Sequence, residues 1–262
     1  MATVLVTGGK GILGRSLVPK LLERGHDVRI ATRSPKERND GASETLLDLE
    51  TTDGLTEALN GIEIVVHAAT DAVHAKQVDV AGTDALVAAA ADAGVRHLVY
   101  PSIVGIDNHA FGYYRVKKAA EEIIETCPVP HTIQRITQFH QFPARLADAQ
   151  RWMPVVLAPS GVEFQVLDVG VAARRLADLV DADPSGRAPD LGGAEPMPVK
   201  HLIRSYLRAG GSHRPVLGVR VPGATGRDFR AGLQLSDDRS GGSPTWDDFL
   251  KAVRDRRSRV TA

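Results

Sequence analysis

Tyr113 and Lys117 stand four residues apart, so on a helix they share one face, a turn apart. An ammonium beside a phenol favours the phenolate and lowers the phenol's pKa. Such a phenol can give a proton to a carbonyl oxygen that is receiving a hydride, or take one back in reverse, while the lysine holds a ribose. Tyr114 and Lys118 have the same spacing, so spacing alone leaves the register open.

A second set of residues points to what would bring the hydride. Gly8, Gly11 and Gly14 follow the apolar run TVLVT at three-residue intervals. A glycine at a strand exit allows a tight turn. One at a helix start lets the backbone approach a pyrophosphate, and the last permits close packing of helix on sheet. The helix that opens there aims the unpaired N–H groups of Ile12 and Leu13 at the phosphates. At the end of the second strand an acid would bond the ribose of NAD. The chain has Thr32-Arg33-Ser34 instead, and Arg33 suits a 2′-phosphate, with Lys10, Lys36 and Arg38 available nearby. Both features favour NADP(H). Asp48, with Leu49 beside it, ends the third expected strand, either to accept from an adenine amine or simply as a strand-end aspartate. Ala68, Ala69 and Thr70 close the fourth; their small size suits a ribose or close packing equally.

These residues need a scaffold, and the chain offers one. Strand patterns at 3–7, 27–33, 44–49, 62–70, 95–102 and 131–136 alternate with helical patterns at 11–25, 54–61, 79–94 and 111–127. The strands are near-continuous apolar runs, as in a parallel sheet covered on both faces. Repeated strand–helix–strand units predict an α/β, doubly wound parallel sheet. Beyond residue 150 prolines break the rhythm. A strand at 162–170 leads into a helix, and further helices are expected at 198–210 and 245–257, the last capped by Thr245 with Asp247 and Asp248 in its first turn. The expected division is 1–150 for the nucleotide-binding domain and 151–262 for a smaller α/β substrate lobe that does not fold by itself.

Composition narrows the partners. The chain of 262 residues has 32 basic and 32 acidic side chains, against a bulk electrostatic partner such as nucleic acid or an anionic membrane. The densest basic run, Arg254, Arg256, Arg257 and Arg259, reads as a solvated helix end. One cysteine, Cys127, leaves no disulfide framework, and no metal-ligand spacing is present. No apolar stretch approaches the roughly 20 residues that span a bilayer. The N-terminus enters a strand without an apolar leader, so a cytoplasmic setting is the expectation. A monomer and a homodimer are both open.

At these motifs the chain resembles the short-chain dehydrogenase/reductase superfamily, in its extended and atypical branches, including the NmrA-like NAD(P)-binding proteins and the sugar-nucleotide epimerase-like proteins. VTGGKGILGR is similar to the family's glycine opening, DVAGTDALVAAAADAGVRHLVYPS to its run through a helix into the fifth strand, and YYRVKKAAEE to its Tyr-x-x-x-Lys helix. The acid that follows the family's lysine by four aligns with Glu121 and selects Tyr113 with Lys117. The resemblance covers about residues 3–140 and implies a Rossmann fold. It also implies a serine at the fifth-strand exit, often the second of a pair. Here VYPSIVG puts Ser102 in the first place and Ile103 in the second, and strand neighbours point to opposite faces. RITQFHQF should face the nicotinamide, which makes Gln138, Phe139 and His140 the substrate candidates, with His140 as a proton donor near neutral pH. Trp152 and Met153 are expected either to wall the substrate cleft or to form core, and Trp246 to pack.

The resemblance implies an NADP(H)-dependent oxidoreductase acting on a carbonyl, quinone or aromatic small molecule, with Tyr113, Lys117 and Ser102 as its catalytic residues. The alternative is an NmrA-like NADP-binding redox sensor or scaffold without turnover, which Ile103 in the serine's place favours.

Overall fold

The computed structural model describes residues 1–71 and 73–261, with side chains as far as Ser258. Arg259 of the basic run therefore has its side chain outside the described residues. The chain forms two compact units, and neither is one continuous stretch. The first comprises residues 1–102, 112–135 and 172–189; the second comprises 103–111, 136–171 and 190–262.

The first unit is built on a seven-stranded sheet. Its strands are β1 (Thr3–Thr7), β2 (Asp27–Thr32), β3 (Ser43–Leu46), β4 (Ile64–His67), β5 (His97–Ile103), β6 (His131–Ile136) and β9 (Gly186–Arg187), in the order β3-β2-β1-β4-β5-β6-β9. The described pairings are parallel, with Val4 opposite Val28 on one side and Ile64 on the other. That order is the doubly wound one expected, and the direction of winding reverses between β1 and β4, where such sheets bind ligands. β3 is shorter than the expected 44–49, and Asp48 lies beyond it in a turn.

Apolar residues alternate between the two faces of the sheet. Val4, Val6, Val28, Ile30, Ile64 and Val66 pack on α1 (Ile12–Glu23) and on the part of α6 (Val169–Asp181) that belongs to this unit, through Leu17, Leu21, Ala173 and Leu176. Leu5, Val65, Leu98 and Tyr100 face α2 (Leu55–Leu59), α3 (Gly82–Asp92) and α4 (Gly112–Thr126). A π-helical turn, Lys76–Ala81, leads into α3. Such turns inside helices often mark functional sites.

The second unit has its own core, in which Val156, Phe164, Leu202, Ile203, Leu207 and Trp246 are buried. It contains α5 (Gln141–Asp148), α7 (Val199–Ala209), α8 (Gly223–Arg230) and α9 (Trp246–Thr261), with two-stranded sheets β7–β11 (Val156–Pro159, Val216–Val219) and β8–β10 (Glu163–Gln165, Pro196–Pro198). Thr245 caps α9 as expected, exchanging hydrogen bonds with Asp248 in a capping box. Trp246 packs at 5% exposure. Trp152, by contrast, is 79% exposed, so the expectation that it forms core is corrected: its indole lies in solvent and donates to the Ala149 carbonyl. No helix among the described residues is long and apolar enough to cross a membrane.

One ion pair ties α4 to the sheet edge. Glu121 is fully buried, and Arg135 of β6 grips it with two bonds of 3.0 and 2.7 Å, with Arg187 of β9 at 3.2 Å. Removing one partner of such a pair strands a buried charge. Glu121→Ala is therefore expected to lower the unfolding free energy in urea by about 3–5 kcal/mol. Glu125→Ala, which removes only a solvent-exposed partner of Arg187, should cost no more than about 1 kcal/mol.

Candidate functional site

The glycine loop and the β4 exit meet at the reversal point of the sheet. Gly8 has φ +69°, and a Cβ there would lie 2.5 Å from the Ala68 carbonyl oxygen. A Cβ on Gly14 would run into Gly8 and Gly9. Only glycine fits at either position. Gly11 is the N-cap of α1. It offers no side chain to cap the helix, and the first turn has no acid. The first N–H groups of α1, those of Ile12 and Leu13 among them, thus lack a side-chain cap, a donor set that suits a pyrophosphate.

Charges gather where β2 ends. Lys10 Nζ lies 3.0 Å from the Ser34 carbonyl and 2.8 Å from Glu44 Oε2, and Arg38 reaches Glu44 Oε1 at 3.0 Å while also binding Asp40. The Glu44 side chain is 2% exposed. Burial opposes its ionisation, yet the bonds from Lys10 and Arg38 hold its pKa below the usual value. The end of β2 lacks an acid, as the sequence reads, yet the pocket still holds a carboxylate. β2 brings no carboxylate, but β3 does, because Glu44 stands opposite Ile30 and reaches back under Lys10. Arg33 is exposed and has no partner among the described residues. Asp48 accepts from the Glu50 N–H within its own turn, and the neighbouring Leu49 is buried.

The β4 exit is fixed by a one-way chain of hydrogen bonds. The Ala69 N–H donates to Thr7 Oγ1 at 3.1 Å, so that hydroxyl is left to donate to His67 Nδ1 at 2.8 Å. His67 Nε2 is 2.9 Å from Thr83 Oγ1, which itself donates to the Asp79 carbonyl at 2.7 Å. His67 must then be the neutral Nε2–H tautomer. Burial, together with the charge of Lys117, pushes its pKa down to about 3, in keeping with that tautomer.

Asp79, in the π-helical turn, is 1% exposed. Its Oδ1 accepts from Thr70 Oγ1 at 2.7 Å and its Oδ2 from the Asp71 N–H at 3.0 Å. Because Thr70 gives its proton to Asp79, it accepts from the Tyr113 hydroxyl, also 2.7 Å away. Lys117 is 4% exposed, with Nζ 3.7 Å from Asp79 Oδ1 and 4.3 Å from the centroid of the Tyr100 ring. Burial raises the Tyr113 pKa above its ordinary value, while Lys117 and Thr70 oppose the rise. Of the two pairs with the same spacing, Tyr113 and Lys117 join this network. Lys118 sits at the surface 3.8 Å from Glu122.

Ser102 is 4% exposed, its Oγ is buried without a hydrogen-bond partner, and it shares a strand face with Tyr100. Ile103 points the other way. Gln138, Phe139 and His140 belong to the second unit. Gln138 Nε2 is buried without a partner, and Phe139 bridges to Leu167. The expectation that His140 is a proton donor near neutral pH is corrected. The residue is 1% exposed, its ring packs 5.4 Å from Phe249 and 5.7 Å from Trp246, and burial pushes its pKa down to about 4. It is neutral at pH 7. No group of metal-ligating side chains occurs among the described residues.

Asp79, Glu44 and His67 escaped the sequence reading. Asp79 carried a signal, an acid at the start of a segment already matched to the family, just before the helix that follows β4.

The chain is similar to several known proteins. Residues 8–150 match the family described as NAD(P)H-binding. The chain is 26% identical over 235 residues to the photosystem II assembly factor Ycf39 of Cyanophora paradoxa, covering 84% of this chain and 72% of that protein. It is 28% identical over 254 residues to the 2-alkyl-3-oxoalkanoate reductase of Stenotrophomonas maltophilia strain K279a, covering 80% and 76%. Against several other relatives it spans less than half of their length. A nucleoside-diphosphate-sugar epimerase from Staphylococcus aureus has the same fold, with a TM-score of 0.77 at 19% identity over 95% of this chain and 99% of that one. The glycine cradle, the reversal of the sheet beside it and a family match over more than half of the sequence lead to one conclusion: the chain belongs to the NAD(P)H-binding family and carries its coenzyme-binding motif on a doubly wound Rossmann fold.

Proposed function

We propose that the protein is an NADP(H)-dependent oxidoreductase that reduces a carbonyl group of a small molecule, a ketone, quinone or aromatic compound. The observation that carries this reading is the buried Lys117 beside Tyr113, whose hydroxyl begins a chain through Thr70 to Asp79. A merely structural lysine gains nothing from such burial, whereas a lysine that must hold a ribose and polarise a phenol needs it. The likeness to a 3-oxoalkanoate reductase supports a carbonyl substrate.

Bound NADPH would supply the hydride. The residues do the rest. Gly8, Gly11 and the N-terminus of α1 receive the pyrophosphate, Arg33 takes the 2′-phosphate with Lys10, and Ala68, Ala69 and Thr70 border the ribose. Asp48 and Leu49 flank the adenine. Tyr113, like any phenol, is protonated at neutral pH, and burial only raises its pKa further, so it enters the reaction as the acid and donates to the substrate oxygen. Lys117 orients the phenol and stabilises the phenolate left behind. Ser102, with an unpartnered hydroxyl, is the second donor to that oxygen. Gln138, with its free Nε2, and Phe139 are the proposed substrate contacts of the second unit. The partner is a small molecule rather than nucleic acid or membrane, and the protein acts as a monomer or homodimer in the cytoplasm.

A second reading, coenzyme binding without turnover, is favoured by the likeness to an assembly factor. NADPH oxidation over a panel of ketones and quinones separates the two. Tyr113→Phe should lower kcat by about 100-fold or more while leaving the NADPH dissociation constant unchanged. NADPH binding with no oxidation across the panel would establish the second reading.

Three further variants test the charges around the site. Asp79 raises the phenol's pKa, so Asp79→Asn should move the alkaline limb of the reductive kcat/KM profile to lower pH. Arg33→Ala should weaken NADPH at least about tenfold and leave NADH unchanged. Glu44→Gln should do the opposite, tightening NADPH severalfold, because it removes an anion beside the 2′-phosphate and frees Lys10. Titrations with both coenzymes at equal ionic strength decide it.

A further inference from the structure

The second unit holds a cavity of about 290 Å³ between α7 and α9 that the reading above leaves unused. His201, Arg204 and Arg208 follow one another along one face of α7, and Arg254 of α9 lines the same space. Buried Leu250 and Ala209 form its floor. α7 contains no acidic residue at all. Arg204 and Arg208, one turn apart, repel each other, and Arg254 adds a third like charge. None of these three guanidinium groups has a carboxylate or hydrogen-bond partner among the described residues. An uncompensated cationic cluster over an apolar floor is what a bound anion would relieve.

We propose that this cavity binds a small organic polyanion, with its carboxylate or phosphate groups on Arg204, Arg208 and Arg254 and its carbon body on Leu250 and Ala209. Guanidinium forks fit either oxyanion through paired bonds. The volume lies at the low end of ligand pockets, which run from roughly 300 Å³ upward, and so sets the size near that of a tricarboxylic acid. The Ser205 hydroxyl also lines the cavity but is spent within the protein. It donates to the His201 carbonyl at 2.9 Å and accepts from the Trp246 indole at 2.9 Å.

That last bond makes Trp246 a built-in reporter. With the exposed Trp152 replaced by phenylalanine, fluorescence comes from Trp246 alone. This protein is titrated with citrate, with inorganic pyrophosphate and with sodium chloride at matched ionic strength. Saturation by citrate assigns a carboxylate ligand and saturation by pyrophosphate a phosphate; either supports the site. The midpoint should rise at least about tenfold when Arg204 and Arg254 are both changed to Ala, and less when both become Lys, which keeps the charge but loses the fork. Arg33→Ala should leave the response unchanged. The proposal is overturned if neither anion saturates, if chloride reproduces the response, if the double alanine variant titrates like the parent, or if Arg33→Ala abolishes the change.

Discussion

A lysine ammonium removed from water demands compensation, and most of the first unit around the candidate site can be read as the answer to that demand at Lys117. Desolvating a cation costs several kcal/mol unless charge and hydrogen bonds replace the lost water. Asp79 supplies the charge and the face of Tyr100 a further attraction. Asp79 must in turn be held, and Thr70, the Asp71 N–H and, through the backbone, Thr83 hold it. Thr83 leans on His67, and His67 on Thr7 at the end of β1. A single buried charge thus connects β1, β4, β5, the π-helical turn and α4, and the Tyr113 hydroxyl lies at the open end of that connection.

The adenosine side follows a different logic. There the cations are not buried but shared. Glu44 occupies Lys10 and Arg38, while Arg33 stays free. Under the proposed NADP(H) reading, selection between coenzymes becomes a competition for Lys10 between an internal carboxylate and an incoming phosphate. Fixed charge alone would favour any anion; a built-in competitor raises the threshold so that a weakly charged visitor gains little.

How far each feature could be read from sequence depended on the range of the physics behind it. The glycine cradle, the Thr245 cap and the Tyr113–Lys117 spacing are local, and a few neighbouring residues encode them. The parallel sheet with helices on both faces followed from apolar runs that alternate with helical patterns, because parallel strands need crossover helices. Glu44 was not legible, since it meets Lys10 only through the register of β2 and β3, and Asp79 was passed over because the π-helical turn that folds it back onto Thr70 and toward Lys117 has no pattern of its own. His140 misled for the same reason as Glu44. Its neighbours look like a loop, but the rings of Trp246 and Phe249 that enclose it come from the opposite end of the sequence. α5 and α8 also went unread, their patterns broken by Pro143 and by Gly226.

The interleaving of the two units has a consequence for synthesis. The sheet of the first unit takes its last strand from residues 186–187, and α1 is covered by Ala173, Leu176 and Ala177 of α6. A chain emerging from the ribosome can pair β1, β2 and β4 early and lay α1 against them, yet the part of that apolar flank that α6 covers stays open until α6 has been made. The nascent protein thus spends much of its translation with an exposed hydrophobic surface, the state in which chains depend on chaperones. The closing contacts join segments distant in sequence, which places the slow step of folding late.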